Sequence, residues 1–416
     1  MKIYGDLIVD RWVTVKTTRN SPEAPIPIYV PIKEDRNLGG GGFVANCLKN
    51  LGVDVQFHSL FDGWDDFHAL QKSSGDSSLR TPVKTRYIDE SGRHIMRIDD
   101  ESSPASFPVG ENYATWHCSK CFYEKDEVVV VSDYGKGSIS SYLTTFLSDR
   151  GCKTVVDVKQ PSGDWYNNAY FLKCNESEWK SICMYSELSS IDNIMKKYGW
   201  TYVLVTLGSR GARLYEVGSE VLEFSVPFSP KNPDVTGAGD VITAVVAYFM
   251  DLGLPVSECV EKAMLAAARH VGRKGMNPIS LSDLESVTVF ANGCFDFLHY
   301  GHMELLKEAS MMGDRLIVGL NSDSSVKKLK GEHRPLLYED IRKEMLENLP
   351  YVNKVIIFDK DTPYELIKEL KPDIIVKGED YKDKKVVGED LAEVRFVKLV
   401  PGWSTTKIFE KMLKNE

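Results

Sequence analysis

Short apolar runs of four or five residues alternate with helical patterns along much of this chain, and that alternation restricts what it can build. Val128–Val131 precedes a turn at Ser132–Gly137, Thr154–Val158 follows a break at Gly151, and Tyr202–Thr206 runs into a glycine turn. Val287–Phe290, Arg315–Gly319, Val355–Phe358 and Asp373–Val376 repeat the pattern. Runs this short read as buried strands, and strands that alternate with helices predict parallel α/β sheets. At 416 residues the chain is long enough for two or three domains. The boundary is expected at Ile279–Ser286, where a helical stretch over Val256–Arg273 has ended and a new strand, VTVFANG, begins.

Charge and cysteine usage narrow the partners. A net charge of -9 argues against a nucleic-acid binder, which usually carries a basic face. The eight cysteines are scattered, which fits a reducing compartment. Cys118 and Cys121 form one CxxC without a second pair at zinc-ribbon spacing, so they read as incidental thiols. The first residues start directly on a strand-like run, without the basic and apolar regions of a signal peptide. The most apolar later segment, Val241–Met250, is shorter than the roughly 20 residues that span a bilayer. The expectation is a cytoplasmic protein with no membrane or nucleic-acid partner.

The sharpest motif is GCFDFLHYGH, Gly293–His302, between an apolar strand and a helix-like MELLKEASMMG. A strand–loop–helix layout aims backbone N–H groups at an anion. Gly293 lets the chain pass close to a nucleotide. His299 and His302, three apart at a helix start, can face one phosphate. Imidazole donors there stabilise the charge that gathers on an α-phosphate as a nucleophile enters and pyrophosphate leaves.

These residues resemble the HxGH nucleotidyltransferase superfamily, and the later segments NSDSSVKKLKGEHRP, IIVKGEDY and PGWSTTKI extend the resemblance over 287–416. It is similar to the adenylyltransferase half of the bifunctional heptose kinase/adenylyltransferases. The resemblance implies that His299 and His302 act on the α-phosphate, and that Gly293, Phe295, Lys330 and Arg342 hold the NTP, with Lys327 and Arg334 as further cations. It also implies that Ser404, Thr405 and Thr406 bind phosphate at a helix N-cap.

In the first half, Thr236-Gly237-Ala238-Gly239-Asp240 precedes a strongly apolar helix. Small residues at a helix start expose N–H groups to a transferred phosphoryl group, and Asp240 can take a proton from a sugar hydroxyl. The same residues are also those of a capped glycine turn. The segment resembles the ribokinase-like (PfkB) sugar kinases, over about residues 1–280.

That resemblance implies a three-layer α/β domain with a small β lid, followed by a Rossmann-like transferase domain. It implies ATP and Mg²⁺ as cofactors. Asp240 is then the base, Gly237, Ala238 and Gly239 form the anion hole, and Asn175 and Glu178 organise magnesium and phosphate, Glu178 indirectly. Gly208 and Gly211 lie near the adenine nucleotide. Asp10, Gly39, Gly40 and Asp133 lie near the sugar, with Lys136 close by, and Arg86, Arg93 and Arg97 belong to the lid. It further implies sugar phosphates as substrates, a homo-oligomer with a dimer favoured, and a separate phosphatase between the two reactions.

Two departures stand out. Phe43 occupies the place where those kinases carry a sugar-contacting asparagine, and the segment after FDGWDD is short. Two rivals stay open: a transferase that uses CTP or another sugar phosphate, and a first half that senses sugar phosphate or dimerises without turnover.

Overall fold

The computed structural model describes residues 1–59, 81–101, 121–227, 233–273, 275–398 and 400. The chain divides into two compact units, Met1–Leu284 and Glu285–Glu416.

In the first unit the strands are β1 (Lys2–Gly5), β2 (Leu7–Asn20), β3 (Pro27–Gly40), β4 (Gln56–His58), β5 (Val83–Ile88), β6 (His94–Asp100), β7 (Val128–Ser132), β8 (Lys153–Asp157), β9 (Phe171–Asn175), β10 (Tyr202–Thr206), β11 (Ala212–Glu216) and β12 (Leu222–Phe224). Eight of them form one sheet in the order β12-β11-β10-β9-β8-β7-β1-β4, parallel from β10 to β4. Only β11 and β12 join antiparallel.

Successive side chains on a strand point to opposite faces. Val128, Val130 and Val155 therefore enter one core with the helices Gly41–Asn50, Ala238–Asp251 and Val256–Val271. Val129, Val131 and Val156 enter a second core with Leu143–Ser148 and Ile191–Tyr198. Each such fully buried valine or leucine stabilises the fold by roughly 1.5–3 kcal/mol. The apolar runs lack in/out alternation because both faces are covered.

The remaining four strands form a second sheet, β3-β2-β5-β6, in which β2 and β3 make a long hairpin. This sheet is the lid. Its outer residues are exposed along most of β3 and β6, so no apolar run announces it.

The second unit has a five-stranded parallel sheet of β13 (Thr288–Gly293), β14 (Arg315–Asn321), β15 (Lys354–Phe358), β16 (Ile374–Gly378) and β17 (Glu393–Val397). Their order is β15-β14-β13-β16-β17, so the winding reverses between β13 and β16. Val289, Ala291, Leu316 and Val318 pack on one face, and Phe290, Ile317 and Ile375 on the other. Ligands of such sheets bind outside the carboxyl ends of the strands at the reversal. Among the described residues no helix is long and apolar enough to cross a membrane.

Candidate active sites

In the first unit the helix Ala238–Asp251 begins after Gly237, whose φ of 79° is left-handed and suits glycine. A Cβ on Gly237 would also meet the Phe43 ring at 2.9 Å. The Ala238 N–H donates to the Val235 carbonyl, which leaves the N–H groups of Gly239 and Asp240 as the first without an intrahelical carbonyl. Of the three residues expected to form the anion hole, Ala238 is the one whose N–H is engaged in this way.

Asp240 is buried, and Tyr134 Oη donates to its Oδ1 at 2.5 Å. Burial, and next the charge of Asp157, raise the Asp240 carboxyl to about 7. That is where a general base at neutral pH is most effective. Behind it, Lys173 Nζ donates to both oxygens of Asp157 at 2.7 Å, and Thr243 Oγ1 donates to Asp157 at 3.2 Å. A Cβ on Gly239 would come within 2.7 Å of Lys173 Nζ, so the ammonium lies directly beside the glycine turn that starts the helix.

Lys173, Asp157 and Tyr134 were not expected from sequence. The lysine two residues before Asn175 and the aspartate ending an apolar run were the available signals. Asp6 was missed as well. It is fully buried and accepts from the backbone N–H groups of Tyr134, Lys136 and Ser138 at 2.8, 2.9 and 2.9 Å, which fixes the loop that carries Tyr134.

Asn175 and Glu178 form a reciprocal capping box: the Glu178 N–H donates to Asn175 Oδ1, and the Asn175 N–H donates to Glu178 Oε2, each at 2.9 Å. Glu178 Oε1 lies 3.6 Å from Lys159 Nζ. Among the described residues no three His, Cys, Asp or Glu side chains converge as a metal site. Magnesium usually keeps waters and substrate phosphates with one or two carboxylates, so one carboxylate at this position fits it.

Gly208 and Gly211 line an apolar pocket of about 240 Å³ with Gly239, Ile242, Met264 and Ala267. A larger cleft of about 790 Å³ runs between Trp12, Asn37 and His94 of the lid and Asp234, Thr236 and Asn277 of the body.

Asp10 is buried on β2 and is ion-paired to Arg86, whose guanidinium stacks over Trp12 at 5.0 Å. A Cβ on Gly39 would overlap Asp10 Oδ2 at 2.1 Å, so only glycine admits the carboxylate there. Gly40, at φ 58°, turns the chain into the helix Gly41–Asn50.

Other residues of this half are engaged by the protein itself. Arg97 holds Asp99 through two bonds of 2.6 and 2.7 Å, and Arg93 pairs with Asp89 in the β5–β6 turn. Asp133 corrects the expectation of a sugar contact. It is buried, accepting from Tyr166 Oη at 2.6 Å and the Gly135 N–H at 2.7 Å, and burial with the Asp6 charge raises it to about 7. Phe43 is likewise a core residue, wholly buried against Gly237 and 5.6 Å from the His270 ring.

In the second unit His299 is the N-cap of the helix Tyr300–Ser310, and its Nδ1 accepts from the His302 N–H at 3.3 Å. That acceptor role leaves the His299 proton on Nε2, free to donate. The two rings stack at 3.7 Å. Burial lowers His302 to about 3, helped by His299 and Lys330, and burial also lowers His299. Both imidazoles are therefore neutral donors at pH 7.

Lys330 ends the helix Asp323–Lys330, is exposed, and makes no ion pair among the described residues. Lys327 is exposed on the same helix. Gly293 lies under the Phe295 ring, 3.2 Å from where its Cβ would be. Phe295 itself is buried at φ 42° with its edge on His302, so it props the histidine rather than offering a face to a base.

Arg342 is a correction. It is only 1% exposed and donates to the carbonyls of Leu337, Cys294 and Asn321 at 2.9, 2.6 and 2.9 Å and to Asp323 Oδ1 at 2.7 Å. It ties the Gly293–His302 loop to the end of β14 and has no face open to phosphate. Arg334 is paired to the buried Asp296 at 2.6 Å. Ser404, Thr405 and Thr406 lie outside the described residues, as does Cys118.

A carboxylate base beside a phosphoryl-binding turn, and a neutral histidine pair at a sheet's winding reversal, define a sugar kinase joined to a nucleotidyltransferase. The pfkB family carbohydrate kinase profile matches residues 122–283, and the cytidylyltransferase-like profile matches residues 290–408. The chain belongs to the family of the bifunctional HldE proteins. It is 34% identical over 454 residues to the bifunctional protein HldE of Campylobacter jejuni subsp. doylei, across 99% of this chain and 96% of that one. It is also 34% identical over 471 residues to the HldE of Trichlorobacter lovleyi, across 99% and 95%.

Among solved structures it resembles the ribokinase of Thermotoga maritima, at 19% identity and a TM-score of 0.51, over 68% of this chain and 97% of that one. It also resembles phosphofructokinase-2 of Escherichia coli, at 18% identity and a TM-score of 0.53, over 68% and 96%. At such identities the likeness concerns the fold.

Proposed function

We propose that residues 1–280 phosphorylate the anomeric hydroxyl of a heptose 7-phosphate, and that residues 287–416 join a heptose 1-phosphate to AMP, both from ATP. Asp240 takes the proton of the anomeric hydroxyl as its oxygen attacks the γ-phosphorus. The bond to the β,γ-bridging oxygen breaks and ADP leaves. Gly239 and Asp240 N–H groups and Lys173 face the transferred group, and the Gly208–Gly211 pocket takes adenine. Mg²⁺, carried by ATP and held through Glu178, supplies charge neutralisation at the phosphates.

In the second reaction an oxygen of the sugar 1-phosphate attacks the α-phosphorus, the bond to the α,β-bridging oxygen breaks, and pyrophosphate leaves. The Nε2–H of His299 and the His302 ring donate to the charge that develops, and Lys330 neutralises it. The observation that carries this half is the stacked, neutral histidine pair at the helix start.

The 7-phosphate is removed between the two steps by a separate phosphatase. The protein works in the cytoplasm as a homodimer through its lid sheets, where Val30, Ile32, Met96 and Ile98 are exposed. Mass spectrometry of products from heptose 7-phosphate, ATP and Mg²⁺ tests the kinase reading, with a heptose bisphosphate expected. Heptose 1-phosphate offered with ATP, CTP or GTP tests the other, and a clear preference for CTP would overturn adenylyl transfer.

A further inference from the structure

Two lysines border the Gly293–His302 loop without a salt bridge among the described residues, and the proposed chemistry has used only one. Lys377 stands on β16 beside the winding reversal, where Ala291 pairs with Val376 and the next residues, Asn292 and Lys377, therefore lie side by side. Its Nζ donates to Asn292 Oδ1 at 2.8 Å and sits 5.2 Å from the centre of the Tyr381 ring. A neutral amide and an aromatic face satisfy an ammonium only in part. It has three donors and, when removed from water, is normally paired with an anion.

Its position relative to Lys330 gives the lysine a purpose. Lys330 acts on both histidines and on Cys294, whereas Lys377 acts on Cys294. Cys294 opens the loop, so the loop is bordered by one cation from a helix C-terminus and one from the strand β16. Arg342, the third cation near Cys294, is consumed by carbonyls and Asp323. An in-line displacement needs negative charge neutralised on two sides, at the NTP and at the incoming nucleophile. Lys330 faces the NTP beside the histidines, whereas Lys377 stands near the carboxyl end of β16 at the winding reversal, where ligands of such sheets bind, and is held there by Asn292.

We infer that Lys377 is the acceptor-binding residue of the transferase, holding the phosphomonoester whose oxygen attacks the α-phosphate. Burial, set against Asp380 and Cys294, lowers its ammonium to about 8, which fits a cation whose counter-ion is a substrate. The inference rests on the nucleotidyltransferase reading of this site. Asn292 then orients the ammonium and Tyr381 shields it.

The test is pyrophosphate release by the full-length protein, with ATP and heptose 1-phosphate varied independently, for wild type, Lys377→Met and Lys377→Arg. The expected result for Lys377→Met is an acceptor KM raised roughly tenfold to a hundredfold, with the ATP KM within about twofold of wild type, the scale of a lost charge-assisted contact. Lys377→Arg should recover part of the loss. An unchanged acceptor KM, or equal losses for both substrates, overturns the inference while leaving the transferase reading intact. If wild type releases no pyrophosphate with this acceptor, that reading fails instead. Calorimetric binding of inorganic phosphate then decides on its own: at least tenfold weaker binding by Lys377→Met sustains the site, and equal binding overturns it.

Discussion

The two sites use one physical agent, burial, to opposite ends. In the kinase unit it raises a carboxyl, so Asp240 reaches about 7, which suits the base proposed for a hydroxyl that must lose a proton. In the transferase unit it lowers imidazoles, so His302 falls to about 3 and the pair donates hydrogen bonds without taking protons. The difference follows from the acceptors. A sugar hydroxyl needs a base, whereas a phosphate is already an anion and needs only its charge, and that of the leaving pyrophosphate, to be matched. A low-dielectric pocket always favours the neutral form, and residue type decides which chemistry results.

The comparison breaks most sharply at Asp240. Asp240→Asn should lower sugar-dependent ATP consumption by about 10²–10⁴-fold while adenylyl transfer stays within about twofold, both measured on one preparation. An unchanged kinase rate would return the first half to a sensing or dimerising module. Arg342→Met comes next. Leaving Asp323 and three carbonyls without their shared donor should cost about 3–5 kcal/mol of second-unit stability, read from urea unfolding, and a marginal change would show that the loop is held by other contacts.

His302→Ala should slow pyrophosphate release about 10²–10³-fold and spare the kinase. The smallest effect is the most diagnostic. Kinase kcat/KM should fall about tenfold per pH unit below roughly pH 7, as Asp240 binds a proton. In the transferase the His302 ring is neutral at pH 7 and at pH 5, so its own titration should add no acid limb between them, and the fall in kcat/KM expected there is that of the acceptor phosphate gaining a proton at about pH 6. An acid limb in the wild type that is absent from His302→Ala would mean that His302 titrates as an exposed histidine does.

Legibility tracked burial and locality. The run Tyr202–Thr206 is the strand β10 to the residue, and the others differ by up to three positions at their ends. The lid hairpin was readable only by resemblance, since exposed strands carry no apolar signal. Motif residues within one turn, such as His299 and His302, could be placed together from spacing. Asp157, Lys173 and Tyr134 could not, because they meet Asp240 across 106 residues in the case of Tyr134. Arg342 misled for a different reason: charge count on a helix says nothing about which carbonyls it will meet. Phe43 is a core residue packed beside Gly237 and His270, a burial its sequence position alone did not announce.

The placement of β1 has a consequence in time. This strand lies inside the eight-stranded sheet, between β4 and β7, with Lys2 beside Val129. Its β4 neighbour begins at Gln56, but its β7 neighbour begins only at Val128, and Asp6 waits as long for the loop it will hold. Closing so long a loop carries an entropic cost before any contact rewards it. Strands β13 and β14, neighbours in sequence as in space, face a much shorter wait. During synthesis one edge of β1 stays open until β7 is made, which makes the kinase half the one more exposed to misassembly.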